Sequence, residues 1–107
     1  MYNIYESDVY IMTSKQRAYL RGLANTIDPI FQIGKSGISE NLIKQLNDAI
    51  EARELIKIST LETAPAGARE LGEEIAIATN SILVQTIGNK ITLYRPKKKN
   101  SKIKLPE

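Results

Sequence analysis

Apolar positions along the chain switch between two spacings, and the switches mark out its elements. After Thr13 and Ser14, either of which can cap a helix, Leu20, Leu23, Ala24 and Ile27 recur at i, i+3, i+4 and i+7. That is one helical face, with Lys15, Arg17 and Arg21 off the stripe. Asp28-Pro29 ends the helix, because a residue before proline avoids helical backbone, and Ile30 to Ile33 reads as a short buried strand. Ser39 is placed to cap a second helix. Its face carries Leu42, Ile43, Leu46, Ala49, Ile50 and Arg53, with Glu40, Lys44, Asp48 and Glu51 toward water.

Leu55 to Leu61 has strand-forming residues throughout, and Pro65 can open a third helix without losing a needed N–H. That helix turns Ala68, Leu71, Gly72, Ile75 and Thr79 inward and Glu70, Glu73 and Glu74 outward, and Asn80 suits a left-handed terminator. Ile82 to Ile87 and Lys90 to Tyr94 flank Gly88-Asn89, a pair that makes tight hairpins, and Pro96 ends the last strand. The order α-β-α-β-α-β-β predicts an α/β (α+β, two-layer) domain over residues 13–96, with helices packed on a four-stranded mixed sheet. Residues 97–107 lack an apolar pattern and are expected to form a flexible basic tail. Residues 1–12 form a leader. Its first eleven residues fit an added strand, a disordered segment, or sequence upstream of a natural start at Met12.

With 107 residues, 42% of them hydrophobic, the chain holds one modest core. It has no Cys and no His, which removes thiol and imidazole nucleophiles, the Ser-His-Asp triad and ordinary zinc sites. No enzymatic activity, metal or cofactor is expected. The longest apolar run, Ile75 to Ala78, is far short of the roughly 18 residues a membrane span needs. The N-terminus carries Glu6 and Asp8 where a secretory signal would be basic and then apolar, so a cytoplasmic protein is expected.

The net charge of +3 is unevenly spread. Residues 12–39 carry Lys15, Arg17, Arg21 and Lys35 against Asp28 alone, whereas residues 40–74 are dominated by acids. Arg95, Lys97, Lys98, Lys99, Lys102 and Lys104 come without an intervening acid. One end of the fold is therefore expected to be positive and another negative, an arrangement that can bind and orient a polyanion.

Gly34-Lys35-Ser36-Gly37 lies between a strand and a helix N-terminus, where backbone N–H groups and the helix dipole favour an anion. Two glycines let a sugar-phosphate backbone approach, and Lys35 adds a point charge. The same logic operates in the GXXG loop of KH domains. A plain glycine turn with an exposed lysine explains the tetrapeptide equally. A P-loop is excluded, because the glycine it needs before Gly34 is Pro29. Arg17 and Arg21, one turn apart with Lys15 close by, either grip further phosphates or form a solvated face. The lysines after Pro96 are a solubilising tail or an electrostatic arm. Phe31 and Tyr19 are expected in the core, and Glu70, Glu73 and Glu74 on a wet face.

TSKQRAYLRGLAN, PIFQIGKSGISENLIKQLNDAIEARELIKI and ILVQTIGNKITLYRP, taken together, resemble the CRM domain, the YhbY-like family of RNA-binding proteins. The match runs from about Thr13 to Pro96 and joins three separated signatures: QIGKSG at 32–37, ELIKI at 54–58 and LYRP at 93–96. The resemblance implies a fold similar to the C-terminal domain of bacterial translation initiation factor three, association with precursors of the large ribosomal subunit, and no catalysis. It places the family's GxxG loop on Gly34, Lys35, Ser36 and Gly37 and its basic first helix on Lys15, Arg17 and Arg21. Arg95 belongs to the LYRP signature and either meets RNA, with Lys97, Lys98 and Lys99, or pairs with a carboxylate such as Glu54 or Glu62. Lys57, within ELIKI, faces solvent or RNA. The expected partner is structured ribosomal RNA bound by a monomer. A DNA-binding domain and a protein-interaction module with acidic helices are the alternatives.

Overall fold

The computed structural model describes residues 12–97 and 99–107; the question of residues 1–11 falls outside them. Helix α1 (Ser14–Ala24) begins at Thr13, whose hydroxyl accepts from the Gln16 amide while the Gln16 side chain accepts from the Thr13 N–H. This reciprocal capping box satisfies donors the helix itself leaves unpaired. Strand β1 (Phe31–Ile33) leads through the glycine loop to α2 (Glu40–Arg53), where the Ser39 hydroxyl accepts from the Leu42 amide. Strand β2 (Leu55–Thr60) and helix α3 (Ala68–Thr79) follow, and Asn80 ends the helix at φ 53° and ψ 46°. Strands β3 (Ile82–Ile87) and β4 (Lys90–Tyr94) close the domain. Gly88, at φ 57°, lets a two-residue loop join them.

Several boundaries differ from expectation: α1 ends at Ala24, short of Ile27 and of the Asp28-Pro29 stop, and β1 and β2 are each one residue shorter than their apolar runs. The third helix starts at Ala68, with Gly67 as its cap, and not at Pro65. Pro65 packs against Gly37 instead, within a connection that the Leu61 N–H ties to the Ile33 carbonyl.

The sheet order is β1-β2-β4-β3, with β1 parallel to β2 and the other pairs antiparallel. It is the four-stranded mixed sheet that the element order predicts. Its two faces bury different cores, because side chains alternate along each strand. Ile56, Ile58, Ile91, Leu93 and Ile33 meet Leu46 and Ile50 of α2 and Leu71 and Ile75 of α3. On the other face Leu55, Tyr94 and Val84 meet Leu20 and Ala24 of α1. Val84 joins this second core beside Ile82 by alternation, and a register shift between Leu83 and Gln85 marks a bulge that brings Gln85 opposite Thr92 on the same face. Ala68, Leu71, Gly72, Ile75 and Thr79 are all buried, as their spacing predicts, whereas Tyr19 is 43% exposed and is not a core residue.

The C-terminal segment folds back on the domain. Ile103 and Leu105 pack into the second core, and the Pro106 carbonyl accepts from the Gln16 side chain. The expectation of a flexible tail fails here, because Ile103 and Leu105, two apolar residues in an otherwise mostly polar string, carry no periodic signal of a helix yet suffice to dock it.

Candidate nucleic-acid interface

The predicted site residues fall at opposite ends of the sheet. Strand β2 rises from Leu55 to Thr60, roughly 17 Å at about 3.4 Å per residue. At its C-terminal end sit the Gly34–Gly37 loop, the 61–67 connection and the Gly88-Asn89 turn, which the Asn89 side chain ties to the Thr60 carbonyl at 2.9 Å. At its N-terminal end sit Glu54, Arg95 and the docked tail.

The glycine loop is closed by the Gly37 N–H donating to the Gly34 carbonyl at 2.9 Å. Lys35 and Ser36 form its exposed tip, and among the described residues their amides donate to no backbone carbonyl. The glycines are not equivalent. Gly37 has φ +66°, and a Cβ there would lie 2.9 Å from the Pro65 ring, so turn and packing both require glycine. At Gly34 a Cβ would meet Leu61 at 3.4 Å, an ordinary contact, and φ is not positive. Folding alone leaves Gly34 replaceable.

The cations of α1 divide. Lys15 and Arg21 are exposed, but Arg17 is half-buried and its Nη1 donates to the Leu83 carbonyl at 3.1 Å and the Val84 carbonyl at 2.7 Å. It fastens α1 to the β3 bulge, whose carbonyls the irregular pairing leaves available. Arg17 thus has a structural role through Nη1.

Arg95 is likewise engaged within the fold. It is 9% exposed, and its Nη1 donates to the Thr79 carbonyl at 2.6 Å and Asn47 Oδ1 at 2.9 Å. Its Nη2 reaches the Asn47 carbonyl and Glu51 Oε1, each at 3.4 Å. The carboxylate partner is Glu51, neither Glu54 nor Glu62. Arg95 joins the ends of α2 and α3 to the end of β4, and the planar fork of an arginine suits several acceptors at once.

Glu54, which the sequence reading missed, organises the tail. It has no exposed surface, and its Oε1 accepts from the Ser101 hydroxyl at 2.5 Å while Oε2 accepts from the Lys102 N–H at 2.6 Å and the Ile103 N–H at 3.3 Å. Burial raises its pKa, but these hydrogen bonds and one from the Lys97 backbone together outweigh that, so the carboxyl sits below its ordinary value. Its φ of 68° is unusual for a side chain of this size, and the Glu54 carbonyl accepts from the Arg95 N–H. A glutamate ending one helix and beginning one strand gave no sequence signal beyond its place in ELIKI. Lys97 and Lys99 therefore stand at the far end from the glycine loop, and Lys98 lies outside the described residues.

Comparison with known proteins matches this geometry to one family. The CRS1/YhbY (CRM) domain model matches residues 12–95. The chain is 46% identical over 96 residues to the Probable RNA-binding protein YqeI of Bacillus subtilis, covering 90% of this chain and 100% of that one. It is 32% identical over 95 residues to an RNA-binding protein of Haemophilus influenzae, covering 89% and 95%. The solution structure of the hypothetical protein SAV1595 from Staphylococcus aureus superposes with a TM-score of 0.75 at 53% identity, covering 90% of this chain and 100% of that one. With the match spanning every helix and strand from Ser14 to Tyr94, the chain belongs to the CRS1/YhbY (CRM) domain family.

Proposed function

We propose that this protein binds RNA through the phosphate backbone at its Gly34–Gly37 loop, without catalysis, as a monomer acting on ribosomal RNA or precursors of the large subunit in the cytoplasm. The loop carries the reading. An exposed lysine beside two amides with no backbone partner is a small anion site, and Gly34 is a glycine that packing does not require. The relatives named as RNA-binding proteins support the polymer, and the resemblance supports its ribosomal origin. Lys15 and Arg21, free of partners among the described residues, supply further phosphate contacts; Arg17 and Arg95 do not.

The test is a salt-series titration on ribosomal RNA fragments, with duplex DNA as competitor. Lys35→Ala is expected to flatten the slope of log K against log salt by about 0.7 to 0.9, the loss of one phosphate contact. Gly34→Ala is expected to weaken binding several-fold while leaving the unfolding midpoint in place. Unchanged slopes in both variants, or equal binding to DNA, would sink the proposal.

A further inference from the structure

Helix α1 covers only part of its face of the sheet, and strand register defines what remains. Leu55, Tyr94 and Ile82 form one row beneath the helix. The next row toward the glycine loop is Lys57, Thr92 and Gln85, and the one after it is Gln32, Ser59, Lys90 and Ile87, crossing all four strands. These residues alternate with Ile58, Ile91 and Ile33, which belong to the opposite core, so they share the α1 side. An open hollow lies over Gln32, Ser59 and Lys90. Neither row contains an acid; Asp28 shares a hollow with Lys57 at the α1 end, and the exposed acids of α2 and α3, Glu40, Asp48, Glu51, Glu70, Glu73 and Glu74, ride behind the sheet.

We infer that this half of the sheet beyond α1, where Gln32, Lys57, Gln85, Ile87 and Lys90 present surface around the buried Ser59 and Thr92, is a second contact surface, a shelf that takes a single strand of RNA running from the glycine loop toward α1. The inference rests on the RNA-binding reading and extends it. Lys90 and Lys57 are diagonal neighbours on β4 and β2, about 7–8 Å apart at their backbones, a spacing from which two flexible side chains reach successive phosphates. Gln32 and Gln85 present amides that both donate and accept, as base edges and 2′-hydroxyls require. Ile87, 61% exposed at the shelf's edge, offers an apolar contact for a ribose or base. Two rows stand about 7 Å apart, which is the width of one strand and not of a duplex. Lys35, just beyond the row that Gln32 begins, connects shelf and loop.

The experiment titrates isotope-labelled full-length protein with a single-stranded RNA 12-mer and with a blunt duplex of the same sequence, following backbone amides by NMR. The expected result is that Gln32, Ser59, Gln85 and Thr92 shift with the single strand alongside Lys35 and Ser36, and less with the duplex. The double variant Lys57→Gln, Lys90→Gln is expected to keep its fold and to flatten the single-strand salt slope by about 1.4, two contacts at about 0.7 each. Loop amides that move while the shelf amides stay still, with an unchanged slope in the double variant, would overturn the shelf and leave the loop reading standing. Shelf shifts with the duplex alone would overturn the single-strand assignment. No response anywhere, with Lys35→Ala also silent, would remove the RNA reading and the shelf together.

Discussion

The two ends of the sheet put their charged side chains to opposite uses. At the end holding Leu55 and Tyr94, Arg17 and Arg95 give their guanidinium donors to backbone carbonyls and side chains of the protein itself, and Glu54 gives its carboxylate to the tail. At the other end Lys35 and Lys90 stand beside glycine turns, and Lys35 has no partner among the described residues. At these two ends the planar multi-donor fork of Arg17 and Arg95 closes structure, while Lys35, a mobile point charge, is left for a partner. Charge counted along the sequence does not separate the two, because the separation lies in what backbone each cation finds within reach. The same is true of the acids: exposed ones crowd α2 and α3, and the buried Glu54 acts as a hub.

The comparison is broken most severely by removing the tail. A chain ending at Pro96 is expected to lose about 4 kcal/mol of stability in urea unfolding, because Ile103 and Leu105 leave the second core and Glu54 loses its donors. A merely solubilising tail would leave the midpoint untouched. Next comes Arg95→Ala, expected to cost about 3 kcal/mol by leaving the Thr79 carbonyl and Asn47 unpaired in a buried setting, with little change in the RNA salt slope. A slope flattened by a full phosphate contact with unchanged stability would return Arg95 to the interface.

Much of the architecture was legible because local rules and tertiary packing agree. Thr13, Ser39 and Asn80 cap their helices as their side chains dictate, and the α3 stripe of Leu71 and Ile75 is buried at helical spacing. The family resemblance and the mixed sheet were also legible. The docked tail was not, since Ile103 and Leu105 pack by a long-range coincidence with Leu20 and Leu55 that no window along the chain reveals. The bulge at Val84 escaped for a related reason: the Arg17 side chain that meets its carbonyls lies 67 residues earlier. Of the candidate site, the glycine loop was readable as a turn between strand and helix. Lys90 emerged only when register placed it beside Lys57.

Glu54 sharpens the comparison through pH. Its folded pKa lies below the ordinary 4.5, so the stability it contributes is fully present above that value and is lost as pH falls through the lower folded value. Tail docking is therefore complete at neutral pH and loosens only in acid. Glu54→Gln is expected to cost about 2 kcal/mol at pH 7, since a carboxamide nitrogen replaces one acceptor facing the Ser101 to Ile103 donors. It should also flatten the acid limb of a stability-against-pH curve. An unaltered acid limb would show that other carboxylates control it.

The smallest effect tests the comparison within one helix. Arg17 and Arg21 lie one turn apart and look equivalent in the sequence, yet only Arg17 reaches the Leu83 and Val84 carbonyls. Arg17→Ala is expected to cost about 1.5 kcal/mol, because the bulge carbonyls lose a charged donor while water partly replaces it. Arg21→Ala should move stability by less than about 0.5 kcal/mol, as an exposed substitution does, and instead lower the RNA salt slope. The paired measurement reads both quantities on both variants. A crossed result, with Arg21 stabilising the fold and Arg17 setting the slope, would mean that α1 is rotated on the sheet in solution, and the division between structural and free cations would have to be redrawn from that helix outward.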